Sequence, residues 1–255
     1  MTYFRDTAAV LSQEQLDDQI YSLWIEAGRI AEIARPGQFL NLYCRSEARL
    51  LPRPISLCEI DPASGRLRLV YRTAGAGTRE FSSLKTGDRI DILGPLGNGF
   101  PTEHQGRALI IGGGIGVPPL LELARQLPGE KTLVMGYRSR PYLKEELSAA
   151  GPLCIASEDG SNGVRGNVMD AVREYQLQAD TVYACGPLPM LRAVKSWSEE
   201  RGITAWISLE ERMACGIGAC LGCVCRTKKK DEHSQVHNAR VCREGPVFPA
   251  SEVEL

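Results

Sequence analysis

Short runs of alternating apolar and polar residues, separated by glycine-containing turns, dominate the N-terminal part of the chain. Clear examples are Gln38–Tyr43, Leu67–Arg72 and Arg89–Leu93. Such alternation is typical of strands that bury one face, and strands at this spacing favour an antiparallel barrel or sandwich. We predict an antiparallel β-barrel over residues 1–101.

The pattern changes near Arg107, where short apolar runs begin to alternate with helical patterns. Strands are predicted at Ala108–Ile111, Thr132–Gly136, Leu153–Ala156, Thr181–Ala184 and Ala205–Ser208. Helices are predicted between them, at Pro118–Leu127, Tyr142–Ala150, Val168–Tyr175 and Leu188–Arg201. Alternating strands and helices form a parallel sheet with right-handed crossovers, so we predict an α/β domain over residues 102–208.

Regular periodicity stops after Ser208, and the remaining segment, residues 209–255, is rich in cysteine and glycine. It has too few apolar residues for a core of its own. Small units of this kind need an additional crosslink, and a metal centre is the one that this composition favours. We therefore predict a third domain that binds a metal centre.

Composition narrows the class of protein further. The 255 residues are 43% hydrophobic and 24% charged, which excludes a disordered chain, and a formal charge of −1 gives no basic surface for nucleic acid. The longest apolar run, Ala108–Leu121, is too interrupted by glycine and proline to span a bilayer. Because the N-terminus also lacks a signal-peptide pattern, we expect a cytoplasmic protein that binds no membrane.

Nine cysteines are unusual for such a protein, and four of them have a distinctive spacing. Cys215, Cys220 and Cys223 form C-x4-C-x2-C, and Cys242 follows after 18 intervening residues. Disulfides are not expected in a reducing compartment, whereas this spacing is the plant-type arrangement for a [2Fe–2S] cluster. The small residues between the first two cysteines would let backbone N–H groups approach the sulfurs.

A structural zinc site is the alternative for this segment. It could use four of the cysteines, or include His233 or His237. Zinc loops usually contribute their ligands as C-x2-C pairs, so the spacing favours the iron–sulfur cluster. We interpret Cys225, two residues beyond Cys223, as a small packing residue.

Two glycine-containing loops follow predicted parallel strands. Gly112–Gly116 lies between a strand and a helix, where the N–H groups of the helix N-terminus favour the pyrophosphate of a dinucleotide. Its spacing is not G-x-G-x-x-G, which points away from an ordinary Rossmann dehydrogenase. Cys185-Gly186-Pro187 follows another strand, at the edge where open α/β sheets bind ligands.

These motifs together resemble those of a known family. Arg53-Pro54-Ile55-Ser56 and the two glycine-containing loops are similar to the flavin and pyridine-nucleotide motifs of the ferredoxin–NADP reductase superfamily. The stretches Glu211–Cys223 and Cys242–Phe248 resemble, more narrowly, the electron transfer subunit of type B dihydroorotate dehydrogenase. The resemblance implies a flavin-binding barrel, a nucleotide domain of five parallel strands and a C-terminal [2Fe–2S] domain.

The resemblance also implies roles for individual residues. FAD would be bound by Arg53, Pro54, Ile55, Ser56, Val70, Tyr71, Arg72, Gly77 and Thr78. NAD(H) would lie against Gly113, Gly114, Gly116, Cys185, Gly186 and Pro187, and the cluster would be bound by Cys215, Cys220, Cys223 and Cys242. Arg53 suits the flavin pyrophosphate because its guanidinium is a permanently charged fork. Tyr71 could either stack on a flat ring or belong to the core.

Charged residues near the nucleotide loops bear on the choice between NAD and NADP. Arg138 and Arg140 follow the second strand of the α/β domain, whereas Glu158 and Asp159 follow the third. NADP sites place arginine near the 2′-phosphate, and an acidic residue there would repel it. We expect NADH to be the reductant.

The resemblance implies that the chain passes electrons between NAD(H), FAD and a [2Fe–2S] cluster. The implied partner is an FMN-containing dihydroorotate dehydrogenase catalytic subunit, in a heterotetramer with two copies of each chain that serves pyrimidine biosynthesis. No catalytic acid or base stands out, and hydride transfer needs none. The alternatives are a reductase subunit for a ferredoxin, hydrogenase or oxygenase, and a cluster- or zinc-binding regulatory module with a nucleotide-binding fold.

Overall fold

The computed structural model describes residues 2–46, 48–104, 106–230 and 235–255. Its N-terminal part is a closed barrel with the strand order β1-β2-β5-β4-β3-β6, and all neighbouring strands are antiparallel. The strands are β1 (Phe4–Asp17), β2 (Ile20–Glu26), β3 (Phe39–Leu42), β4 (Arg53–Asp61), β5 (Arg66–Arg72) and β6 (Arg89–Leu96). Two short helices, α1 (Arg29–Ile33) and α2 (Ala76–Phe81), connect strands, and the predicted barrel is confirmed.

The two faces of β3 pack against different parts of the molecule. Leu40 and Leu42 point into the barrel core, where both are completely buried. Side chains alternate along a strand, so Phe39 and Asn41 lie on the outer face. Phe39 belongs to a second apolar cluster that includes Cys223 of the C-terminal segment. The outer face of β3 is therefore covered by the rest of the chain.

The α/β part is a seven-stranded sheet in the order β10-β9-β8-β7-β11-β12-β15. Its strands are β7 (Ala108–Gly113), β8 (Lys131–Tyr137), β9 (Leu153–Ser157), β10 (Val164–Arg165), β11 (Thr181–Cys185), β12 (Thr204–Ser208) and β15 (Val247–Pro249). The helices are α3 (Pro119–Gln126), α4 (Lys144–Ala150), α5 (Val168–Glu174) and α6 (Leu188–Glu199).

Helices cover both faces of this sheet. Leu109 and Ile111 of β7 pack in the cluster that contains α5 and α6, whereas Ala108 and Ile110 pack in the cluster that contains α3 and α4. Such alternation is the pattern of a strand buried on both sides. Among the described residues, no helix combines the length and apolar character that crossing a bilayer would require.

The sheet is larger than the five parallel strands that were expected. All five predicted strands are present and mutually parallel. At one edge the two-residue strand β10 is added in parallel, and at the other β15 pairs antiparallel with β12. Because β15 comes from the C-terminal segment, that segment gains its core from the edge of the α/β sheet. Its remaining strands, β13 (Val224–Arg226) and β14 (Asn238–Arg240), form a two-stranded ribbon.

A buried group of charges joins the barrel to the helices of the α/β part. Arg68 of β5 donates to Glu59 of β4, to Ser22 Oγ at 2.7 Å and to Glu146 of α4 at 3.3 Å. Arg125 of α3 donates to the other carboxylate oxygen of Glu59. Arg68 and Glu59 are both buried, so their charges are balanced by each other and by the two helices.

We expect Arg68→Met to lower the free energy of unfolding by about 3 kcal/mol or more, because removing one partner of a buried ion pair leaves the other charge poorly compensated. Arg66→Met, at the exposed start of the same strand, should change it by less than about 0.5 kcal/mol. Urea unfolding of the two variants measures both quantities. Equal effects would contradict a structural role for the buried group.

Candidate cofactor sites

A cavity on the outer face of the barrel brings together most of the residues predicted to bind FAD. Its walls include Pro54, Ile55, Ser56, Val70, Tyr71, Arg72 and Thr78. Sequence reasoning missed other residues of the wall, including Phe39, Ile115, Leu209, Glu210 and Met213. Leu209, Glu210 and Met213 come from the segment after β12, whereas Phe39 and Ile115 come from two other parts of the chain, so only the fold brings the three parts together. We call this the flavin cavity.

The other two residues predicted for FAD, Arg53 and Gly77, lie against each other. A Cβ atom on Gly77 would come within 2.5 Å of Arg53 Nε. Gly77 therefore leaves the space that the guanidinium occupies. The turn before α2 is fixed by Thr78, whose Oγ1 accepts hydrogen bonds from the N–H groups of Ala74 at 2.9 Å and Gly75 at 3.1 Å. The Arg53 guanidinium could bind the pyrophosphate of FAD, while the neighbouring flavin cavity could hold its ring system.

The ring of Tyr71 belongs to the barrel core. It stacks on Tyr21, with ring centroids 6.0 Å apart, and its hydroxyl donates to Gln13 Oε1 at 2.8 Å. Only 1% of the residue is exposed. Tyr71 was expected either to stack on a flat ring or to belong to the core, and the geometry favours the core. From the core, Tyr71 also bounds the flavin cavity.

A second cavity lies at the carboxyl ends of β7, β8 and β11, the edge where open α/β sheets bind ligands. Five of the residues predicted for the nucleotide line it, namely Gly113, Gly114, Gly116, Gly186 and Pro187. A Cβ atom on Gly116 would overlap the Cys185 carbonyl group, so only glycine lets the two loops approach. The open space between the loops fits a dinucleotide pyrophosphate. We call this the nucleotide cavity.

The two cavities share a boundary at which Arg72 and Glu210 line both. Cys185, predicted with the nucleotide residues, lines the flavin cavity instead, beside Ser208. Burial raises the pKa of Cys185 to about 12, and the Glu210 charge adds to this, whereas a hydrogen bond with Ser208 opposes it. Cys185 is therefore a neutral thiol at physiological pH and shapes the boundary without acting as a base.

The four cysteines predicted to bind the cluster come together as two pairs. Cys220 lies beside Cys215 and helps to lower its pKa, and the backbone N–H of Cys242 donates to Cys223 Sγ at 3.4 Å. Cysteines supply all the protein ligands of a [2Fe–2S] cluster, and two pairs provide two thiolates for each iron. Within the described ranges, no three Cys, His, Asp or Glu side chains converge as a site for a single metal ion.

Backbone N–H groups of the cysteine loop point at the sulfurs. Gly218 donates to Cys242 Sγ at 3.1 Å, and Ala219 donates to Cys215 Sγ at 3.3 Å. Burial acts to raise the pKa of Cys215, but hydrogen bonds from the loop backbone, first that of Ile217, outweigh it and lower the pKa to about 6. The thiolate is the form that binds metal, so these bonds favour Cys215 as a ligand, whereas burial and the neighbouring Cys223 raise the pKa of Cys242 to about 12.

The other candidate ligands of this segment lie elsewhere. Cys225, on β13, packs against the apolar cluster beneath the cysteine loop, as its predicted packing role requires. His237 is exposed, and its Nδ1 lies 3.0 Å from the carbonyl oxygen of Lys228. His233 lies outside the described residues.

The cysteine segment and the whole chain both match known proteins. Residues 210–254 match the family model of the iron-sulfur cluster binding domain of dihydroorotate dehydrogenase B. The chain is 43% identical to the dihydroorotate dehydrogenase B (NAD(+)) electron transfer subunit of Geobacillus kaustophilus, over 98% of this chain and 99% of that one. The Enterococcus faecalis subunit is 44% identical, over 98% of each. The chain belongs to the family of dihydroorotate dehydrogenase B electron transfer subunits.

Solved structures place this electron transfer subunit among the ferredoxin reductase folds. The NADH-dependent reduced ferredoxin-NADP oxidoreductase is 29% identical, with a TM-score of 0.87 over 97% of this chain and 89% of that one. The ferredoxin reductase of carbazole 1,9a-dioxygenase shares the fold, at 20% identity and a TM-score of 0.68 over 80% of this chain and 67% of that one. The predicted family, fold class, electron transfer function and cofactor set of FAD, [2Fe–2S] cluster and NAD(H) are confirmed.

Proposed function

We propose that the chain is an NAD-dependent oxidoreductase subunit that passes electrons between NAD(H) and an FMN-containing dihydroorotate dehydrogenase catalytic subunit. The net reaction converts dihydroorotate and NAD+ to orotate, NADH and a proton. The observation that carries the proposal is the adjacency of three sites. Arg72 and Glu210 line both cavities, and Phe39 lines the flavin cavity while packing in the same cluster as Cys223 and Cys242.

The site residues divide between three cofactors. FAD, when bound, accepts a hydride and releases single electrons, which is why it can join a nicotinamide to an iron–sulfur cluster. Arg53 would bind its pyrophosphate and Ser56 its isoalloxazine edge. Gly113, Gly116 and Gly186 would admit the NAD(H) pyrophosphate, and the two cysteine pairs would bind the cluster. Residues 1–101, 102–208 and 209–255 would then be the FAD, NAD and cluster domains.

The proposed assembly is a cytoplasmic heterotetramer with two copies of each subunit. The names of the relatives as electron transfer subunits support a separate catalytic partner. None of the nine cysteines forms a disulfide, which is consistent with a reducing compartment. Size-exclusion chromatography with light scattering of the purified complex measures the stoichiometry.

NADH is expected to reduce the flavin at least about tenfold more efficiently than NADPH, because an acidic side chain within several ångströms of a phosphate costs more than 1.4 kcal/mol at protein-surface dielectric. Glu158 and Arg138 both line the nucleotide cavity. Glu158→Gln should reduce the preference for NADH over NADPH. Stopped-flow flavin reduction with each nucleotide measures it, and a strong preference for NADPH would overturn the assignment.

The partner is tested by separating the two half-reactions. The purified chain with FAD and cluster should oxidise NADH with an artificial acceptor but should not reduce orotate. Adding the dihydroorotate dehydrogenase catalytic subunit of the same organism should permit reduction of NAD+ by dihydroorotate. Orotate reduction by the single chain would contradict the proposal. Electron transfer to a co-purifying ferredoxin, hydrogenase or oxygenase, with none to the catalytic subunit, would replace the proposed partner.

A further inference from the structure

Asn41 is a completely buried polar side chain on the outer face of the barrel. Its Nδ2 donates to the carbonyl oxygen of Cys215 at 3.1 Å. Its amide also covers Gly216, where φ is +71° and an added Cβ atom would overlap the Asn41 amide group. One barrel side chain therefore sets both the position of a proposed cluster ligand and the need for glycine next to it.

The same side chain stands beside the flavin cavity. Asn41 pairs with Pro54 across β3 and β4, and Phe39 pairs with Ser56. Directly opposite residues of an antiparallel pair share a face, with Cβ atoms about 4.5–5.5 Å apart. Pro54, Ser56 and Phe39 all line the flavin cavity. Asn41 thus lies between the wall of that cavity and the first cysteine of the cluster loop.

The amide has hydrogen-bonding capacity that packing alone does not use. Asn41 Oδ1 is buried and has no hydrogen-bond partner among the described residues. A leucine would fill the same space without the desolvation penalty of an unpaired amide oxygen, so the polar group is not there for packing. Its Nδ2 hydrogen bond is with the cysteine loop.

We propose that Asn41 is a positioning residue that holds the cysteine loop against the flavin cavity and sets the rate at which electrons pass between flavin and cluster. This inference rests on the proposed function. Asn41 does not line the nucleotide cavity. We therefore expect it to leave the reduction of the flavin by NADH, a separate step, unchanged.

The test compares Asn41→Leu with Gln38→Leu in the full-length chain loaded with both cofactors. Gln38 is the matched control, since it is a buried amide three positions away whose bonds go to Gly97 and Arg35 and not to the cysteine loop. Asn41→Leu should slow reduction of the cluster by the flavin by about tenfold or more, because small misplacements of reacting groups have effects of this size. The rate of flavin reduction by NADH should not change. Gln38→Leu should alter neither rate.

Asn41→Ser supplies a second readout, the midpoint potential of the cluster followed by EPR. Its shorter side chain removes the N–H donor to the Cys215 carbonyl oxygen, and losing a donor beside a ligand disfavours the added electron, so the potential should fall. The inference is overturned if Asn41→Leu reduces its cluster as fast as Gln38→Leu. If Asn41→Leu does not retain its cluster, a potential of Asn41→Ser equal to that of the unaltered chain overturns it. An unaltered chain that binds no cluster would instead refute the proposed function.

Discussion

Replacing Cys242 with serine is expected to abolish the [2Fe–2S] cluster while FAD remains bound and reducible by NADH. Cys242 is 1% exposed and paired with Cys223, and a serine hydroxyl stays protonated at neutral pH and cannot replace the thiolate. Transfer from dihydroorotate to NAD+ in the complex should fall by more than about 100-fold, because the loss of even an outer-shell partner of a metal site costs up to that factor.

Cys225→Ser is the matched control for this loss. Cys225 lies two residues from Cys223 and packs against the same apolar cluster, but belongs to neither cysteine pair. It should retain the cluster and its electron transfer. Iron and sulfide content, visible absorption and EPR of the two variants measure the difference. A cluster retained in Cys242→Ser, or lost in Cys225→Ser, would contradict the assignment of ligands.

Gly77→Ala is expected to weaken FAD binding by about 100-fold with little change in stability. The added Cβ atom would lie 2.5 Å from Arg53 Nε and 2.9 Å from Cζ, so the guanidinium must move. A flexible side chain can move without unfolding the protein. The loss follows because hydrogen bonds between charged groups contribute about 1.5–3 kcal/mol each, and two bonds at the lower figure correspond to about 100-fold in affinity.

Gly75→Ala, Arg53→Ala and the double variant of Arg53 and Gly77 test whether Gly77 acts through Arg53. Gly75→Ala adds the same methyl group two residues earlier, where no protein atom lies within 4 Å and φ is −156°, and it should bind FAD normally. Arg53→Ala should lose about as much affinity as Gly77→Ala. The double variant should lose little more, since both changes remove the same interaction. Flavin titration by fluorescence gives the affinities, and additive losses would show that Gly77 does not act through Arg53.

The sequence predicts the parts of the site that are continuous along the chain. Arg53–Ser56 and Gly113–Gly116 lie in single segments with the spacing that their chemistry needs; Pro54, Ile55 and Ser56 line the flavin cavity, and Gly113–Gly116 line the nucleotide cavity. Glu210 was not recognised, because its position at the boundary of both cavities depends on how β12 ends beside the barrel.

Contacts between distant segments could not be predicted. Asn41 lies in an apolar strand, and its partner Cys215 is 174 residues away. β15 was missed for a related reason, since three residues of a cysteine-rich segment become a strand only by pairing with the edge strand β12. Local periodicity predicts the fold class, whereas the contacts between the three parts of the chain form only in the tertiary structure.

Anaerobic titration of the purified, cofactor-loaded chain with NADH tests the central claim most directly. The flavin absorbance should bleach, and the EPR signal of a reduced [2Fe–2S] cluster should appear in the same molecules without any partner protein. A chain that binds neither flavin nor iron with sulfide, or whose cluster stays oxidised after NADH has reduced the flavin, would contradict electron transfer through these sites.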